Sequence, residues 1–167
     1  MAKGNEIIVS AQPRGHFTEG VIATSNTPYP GTIMQIDATV ATVGGRHTYK
    51  IYDRDADGDR PVGAFYVLLP DHLRGKTATD AYAAGDRCFL YAPVSGDELN
   101  LLIADVVSGT GTGAAADHAA GEILMVDDGT GKMIATTGSP ETEVAVLMET
   151  LNDLTSDTLG WCLWSGR

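Results

Sequence analysis

A chain of 167 residues, 43% of them hydrophobic and 20% charged, is globular rather than disordered and long enough to bury a sizeable core. Its 22 acidic against 11 basic side chains give a net charge of −11, which argues against a grip on nucleic acid or an anionic membrane, since either needs a basic face. Twenty Gly beside three Phe and two Trp point to many turns between short strands.

The N-terminal stretch differs from the rest. After the short apolar run Ile7-Ile8-Val9 come Gln12-Pro13-Arg14-Gly15-His16 and Ser25-Asn26-Thr27-Pro28-Tyr29-Pro30, in which the X-Pro steps hold the backbone extended. This composition reads either as a partly disordered terminus or as an extended arm over residues 1–30; the arm is preferred, its apolar contacts being Ile7, Ile8, Val9, Phe17 and Tyr29. A β domain over residues 31–167 should then be largely complete without it.

Three Gly-led motifs organise that domain: Gly31-Thr32-Ile33-Met34-Gln35-Ile36, Gly85-Asp86-Arg87-Cys88-Phe89-Leu90-Tyr91 and Gly121-Glu122-Ile123-Leu124-Met125-Val126. Each reads as a tight turn followed by a buried strand. The outer two run further in parallel, as far as Asp37 and Asp127. Each is followed by a second apolar run, Val62–Leu69 and Val144–Met148, which amounts to a weak internal duplication.

In chain order, Gly44-Gly45 between two β-rich runs predicts a hairpin with a primed turn. Pro61 and Pro70 bracket the Val62–Leu69 strand, and residues 71–84 form a polar loop with room for a helical turn. Arg87–Ala92 and Leu99–Ala104 flank Ser95-Gly96-Asp97 as a second hairpin, and residues 107–120 are a Gly/Ala-rich connection. Glu122–Val126 and Lys132–Thr136 make the third hairpin around Asp127–Gly131. Ser139–Leu154 carries apolar residues at helical spacing, but Glu143–Glu149 also reads as a buried strand, like its counterpart Val62–Leu69. The strand is preferred, followed by a loop and a last strand, Leu159–Trp164. The predicted fold class is all-β, a small barrel or sandwich of short strands with an extended N-terminal arm.

Motifs that imitate chemistry fall short of it. Asp53, Asp55, Asp57 and Asp59, with Gly58 among them, have the acidic spacing of a calcium loop, but Ala64 stands where the closing Glu belongs. A solvated turn is the better reading, with a structural Ca²⁺ as the alternative. Gly109-Thr110-Gly111-Thr112-Gly113-Ala114 resembles a dinucleotide fingerprint, yet only Ala114–Ala120 is left for a crossover helix, which needs a dozen residues or more. His16, His47, His72 and His118 are isolated in polar sequence and read as surface side chains. Cys88 and Cys162 lie in apolar runs as free thiols, which suits a reducing compartment. No run reaches the length of a membrane span, and no apolar signal core follows Lys3. No nucleophile, base and orienting group assemble, so neither catalysis nor a cofactor is expected.

The order of these motifs is similar to that of tailed-bacteriophage capsid decoration proteins, also called cement or head-stabilising proteins. The residues that carry the likeness are Gly31–Asp37, Pro61–Phe65, Ala83–Leu90, Ala119–Val126 and Glu143–Glu149. The resemblance covers roughly residues 20 to 164, and its motifs are short and Gly-based; the Gly-Thr-Ala stretch 108–118 departs from it. It implies a small barrel-like domain on the exterior of the virion, assembled in the host cytoplasm. It also implies binding to the major capsid protein, often as a homotrimer, with an arm gripping the shell and no catalytic residues. A head fibre or host-attachment module, presenting loops 71–84 or 108–118 to a receptor or glycan, is the alternative, and an enzyme built on a β-barrel stands third.

If Asp53–Asp59 is only a turn, a chelator should leave the melting temperature unchanged. A fall of many degrees, restored by Ca²⁺ but not Mg²⁺, would show that the turn holds a cation.

Overall fold

The computed structural model describes residues 6–9, 12–23, 26–40, 42–53, 65–105, 116–127, 129–135 and 143–166. Among these the chain is all-β, and its strands close into two barrels rather than one. The first comprises β1 (His16–Ile22), β2 (Ile33–Ile36), β3 (Thr48–Ile51), β4 (Tyr66–Leu69) and β5 (Arg87–Ala92), in the spatial order β1-β3-β2-β4-β5. The remaining strands are β6 (Glu98–Ile103), β7 (Ala116–His118), β8 (Ile123–Val126), β9 (Met133–Ala135), β10 (Glu143–Leu147), β11 (Leu151–Leu154) and β12 (Thr158–Trp164). The second barrel runs β10-β12-β6-β9-β8, while β7 and β11 pair with each other outside it.

The two barrels repeat one topology. In each, the first strand pairs parallel with the third and antiparallel with the last: β1 with β3 and β5, β6 with β9 and β12. The remaining pairs correspond as well, β2 with β3 and β4 matching β8 with β9 and β10, and β4 with β5 matching β10 with β12. The correspondence extends to single hydrogen bonds. Gly31 N–H donates to Leu68 O at 2.8 Å and Leu68 N–H to Thr32 O at 3.0 Å. Gly121 N–H donates to Leu147 O at 2.7 Å and Leu147 N–H to Glu122 O at 2.9 Å. The duplication suspected from the Gly31 and Gly121 motifs is therefore a duplication of a whole five-stranded unit.

Several expectations are corrected. Residues 16–22 are not part of an arm: β1 closes the first barrel between β3 and β5. Residues 7–9 lie along β6, with Ile8 bridging Leu99 and Asn100 N–H donating to Ile7 O at 2.7 Å. The boundary at residue 30 thus cuts through a barrel, and removing residues 2–24 removes a strand. The hairpin around Ser95–Asp97 does not exist either, because β5 belongs to one barrel and β6 to the other. Residues 151–154, read as loop, form β11. Gly44-Gly45 does make the primed turn, with φ of 58° and 79°, and β2 pairs with β3 across it. The hairpin β8–β9 and the strand choice for 143–147 also hold.

Two apolar clusters explain the strand sequences. The interior of the first barrel holds Ile22, Met34, Tyr49, Leu68, Cys88 and Leu90, together with Tyr82 from the β4–β5 connection. The interior of the second barrel, including Leu101, Ile103, Leu124, Leu147, Cys162 and Trp164, is continuous with Ile33, Val67, Leu69 and Tyr91 of the first. Those four leave their own barrel outward and pack against its neighbour. This is why β4 is apolar on both faces instead of alternating. Each such side chain, fully buried, contributes roughly 1.5–3 kcal/mol.

Gly31 lies at this contact. Its φ of 88° matches the 89° of Gly121, but a Cβ on Gly31 would stand 2.7 Å from Leu159 Cδ2 and 3.0 Å from the Leu102 amide nitrogen, whereas Gly121 faces open space. Gly121→Ala should therefore cost only the left-handed backbone penalty, about 1–2 kcal/mol. Gly31→Ala should cost clearly more, because it also forces the barrels apart. Equal losses in chemical denaturation would mean that the contact is loose.

Candidate interaction surfaces

The residues expected to form a capsid-binding arm are distributed over three elements. Ile7 is 2% exposed and belongs to the shared core; Ile8 and Val9 are half-buried along β6, where Val9 N–H donates to Glu98 O. Their apolarity is spent inside this chain. Phe17 instead projects from β1 at 63% exposure, its ring centroid 5.0 Å from that of Tyr91. Tyr29 is 47% exposed in the turn before Gly31, where its carbonyl accepts from Thr32 N–H. Both are aromatic side chains held out from well-anchored backbone.

Of the candidate calcium ligands, Asp55, Asp57 and Asp59 lie outside the described residues, and Asp53 is placed by its carbonyl, which accepts from Gln35 Nε2 at 3.2 Å. Among the described residues no group of three His, Cys, Asp or Glu could hold a metal ion. His118 is not at the surface: it is buried on β7, with Nδ1 2.8 Å from Glu122 Oε2 and Nε2 without a hydrogen-bond partner. Its setting in a Gly/Ala-rich stretch hid this, since its strand pairs with β11, more than thirty residues further along the chain. The two cysteines are free and buried, and burial pushes both thiols up to about 12. They pack as small hydrophobes and are poor nucleophiles.

The connection 71–84 is a built structure. Asp71 accepts from Arg74 N–H at the start of a short 3₁₀ turn, Thr77 Oγ1 donates to Asp80 Oδ2 at 2.7 Å, and Lys76 Nζ lies 3.2 Å from Asp86 Oδ2. Tyr82 at its end is the side chain that enters the first barrel, its hydroxyl donating to Leu69 O at 2.8 Å. Leu73 stands at the tip, 92% exposed.

No family model matches the chain. Nor does a curated protein match it significantly. The surface itself therefore has to indicate what this molecule binds, and it carries apolar side chains on turns and outward strand faces.

One buried acid that sequence reasoning did not single out ties three chain segments together. Asp97 is 1% exposed between β5 and β6. Oδ2 accepts from Tyr91 Oη at 2.6 Å and from Val94 N–H at 3.0 Å, while Oδ1 accepts from Arg14 N–H at 3.2 Å. Its carbonyl accepts from Trp164 N–H at 2.8 Å, and Tyr91 Oη also accepts from Gly15 N–H at 2.7 Å. The entry to β1 and the end of β5 thus meet at one carboxylate, and the end of β12 at the same residue's carbonyl. Burial opposes its ionisation, but the donors from Tyr91, Val94 and Arg14 together hold it below the usual carboxylate range; burial and the same carboxylate push Tyr91 up to about 12.

A depressed folded-state pKa gives stability that is fully present above the unfolded value near 3.9 and is lost as pH falls through the folded value. Asp97→Asn should cost about 2 kcal/mol at neutral pH, by mismatching donors with a buried amide. It should also flatten the loss of stability below about pH 4. Melting curves of both proteins across this range test it; an unchanged acid slope would remove Asp97 from the account.

Proposed function

We propose that this protein binds the outer surface of an assembled phage capsid and stabilises it, as a structural virion protein whose partner is the major capsid protein. Two lines support this reading: the ordered motifs shared with decoration proteins, and the paired small barrels they fold into. The observation that carries it is the placement of Phe17 and Tyr29, large aromatic side chains exposed at 63% and 47% on anchored backbone. Such side chains lose little conformational freedom on docking and supply the apolar area that dominates protein interfaces. The acidic surface then contributes to solubility and to the rejection of nucleic acid released around particles.

Grip by a detachable arm is no longer part of this proposal, since Ile7 and β1 are structural. Phe17→Ala with Tyr29→Ala should leave folding intact while weakening binding to purified capsids at least about tenfold, or roughly 1.4 kcal/mol. Co-sedimentation with empty shells measures this. Unchanged binding would place the contact elsewhere, and sparse projecting density in place of regular lattice occupancy would favour the head fibre.

A further inference from the structure

The two barrels have the same outward face, and only one of those faces is covered. In the first barrel, Ile33, Val67 and Tyr91 form one cross-strand row and Leu69 and Phe89 the next. The first three are 0% exposed, sealed by the second barrel. The matching registers of the second barrel place Ile123, Val146 and Leu163 in one row, with Met148 and Trp161 in the next. Here Ile123 is 41% and Met148 38% exposed, and Val146, Leu163 and Trp161 are half-buried. The patch is apolar, ordered and open.

Carboxylates frame it. Glu98 stands beside Leu163 at the end of the first row, and Glu143 stands opposite Met125 on the far side of that row. Glu98 Oε2 accepts from Trp161 Nε1 at 3.1 Å, and Glu149 Oε1 from the Trp161 amide at 2.8 Å. Both donors are neutral, so these bonds hold Glu98 and Glu149 in place without cancelling their charge. The surrounding half of the chain does not cancel it either. Residues 94–167 carry twelve Asp and Glu against two basic residues, Lys132 and Arg167, and Lys132 is ion-paired with Asp157 at 2.6 Å. Residues 1–93 are nearly balanced, with ten acidic against nine basic. The negative charge of the protein is therefore gathered in the half that carries the open face.

We propose that the Ile123–Val146–Leu163 face is the docking site for a basic amphipathic helix of a partner protein. The two apolar rows call for apolar side chains in return, and the glutamates around them call for Lys or Arg at the border. Addition of a strand is not open to the partner: β10 lies between β8 and β12, and β12 between β10 and β6, so neither offers an edge. The partner has to engage through side chains alone, as the apolar stripe of a helix does. The row from β8 to β12 spans two strand spacings, about 10 Å, which about two helical turns match. Met125 and Met148, unbranched and adaptable, let the face fit such a stripe closely. The same glutamates repel an anionic membrane surface. This site is separate from Phe17 and Tyr29 and does not depend on the capsid reading.

The test uses the purified full chain and a fluorescently labelled synthetic peptide of leucine and lysine, about fourteen residues long, patterned as an amphipathic helix. The peptide should bind in an anisotropy titration, more weakly as ionic strength rises, and should shift the emission of Trp161 to the blue. A scrambled peptide of the same composition, without the apolar stripe, should bind at least about tenfold more weakly. Ile123→Asp with Met148→Asp, both at exposed positions, should weaken binding by a similar factor although it makes the protein more acidic. Glu143→Gln should weaken binding and reduce its salt dependence, while Phe17→Ala with Tyr29→Ala should leave it unchanged. Equal binding of the two peptides, or tighter binding by the double aspartate variant, would show diffuse charge attraction and overturn the proposal. Unchanged tryptophan emission on binding would overturn it as well. So would a wild-type oligomer that excludes the peptide and dissociates only in the aspartate variant, since a second copy would then hold the face. If the double variant loses its strand circular dichroism, Met148→Asp alone carries the same comparison.

Discussion

The contact in which the outward face of the first barrel packs into the core of the second governs the rest of this structure. A five-stranded barrel of three- to seven-residue strands encloses a small interior, and short sheets are only marginally stable by themselves. The first barrel fills its interior with Tyr82 from its own β4–β5 connection. The second obtains part of its core from Ile33, Val67, Leu69 and Tyr91 across the boundary. Neither unit can be removed without exposing apolar surface on the other, so the two should unfold together.

The polar groups at this boundary do more than satisfy hydrogen bonds. Asp97 joins the N-terminal entry and the first barrel's last strand through a buried carboxylate, and the C-terminal strand through its carbonyl. Gly31 brings backbone against backbone near the other end of β6, where a side chain would hold the barrels apart. An acid in a turn and a Gly before a strand are common in any β protein. Their importance here comes from what stands opposite them.

Duplication followed by packing of unlike faces leaves an asymmetric molecule. One repeat has its outward face buried and the other displays it, while Phe17 and Tyr29 project from the first barrel. In the proposed role, affinity for the shell would come from apolar area multiplied over many contacts.

The sequence by itself determined the all-β class, most strand positions, the primed turn at Gly44-Gly45 and the kinship of the Gly31 and Gly121 motifs. These follow from local backbone preference and from alternation within a few residues, which a chain displays in its own order. Its apolar N-terminal residues were visible as well, but not their destination: Ile7 is core, whereas Phe17 is surface, and nothing local distinguishes them. Only the tertiary structure decided that there are two barrels, that β5 and β6 part company instead of forming a hairpin, and that His118 is buried. Each of these depends on pairing between strands far apart in the chain, where a strand's neighbour is chosen by which apolar faces must be covered.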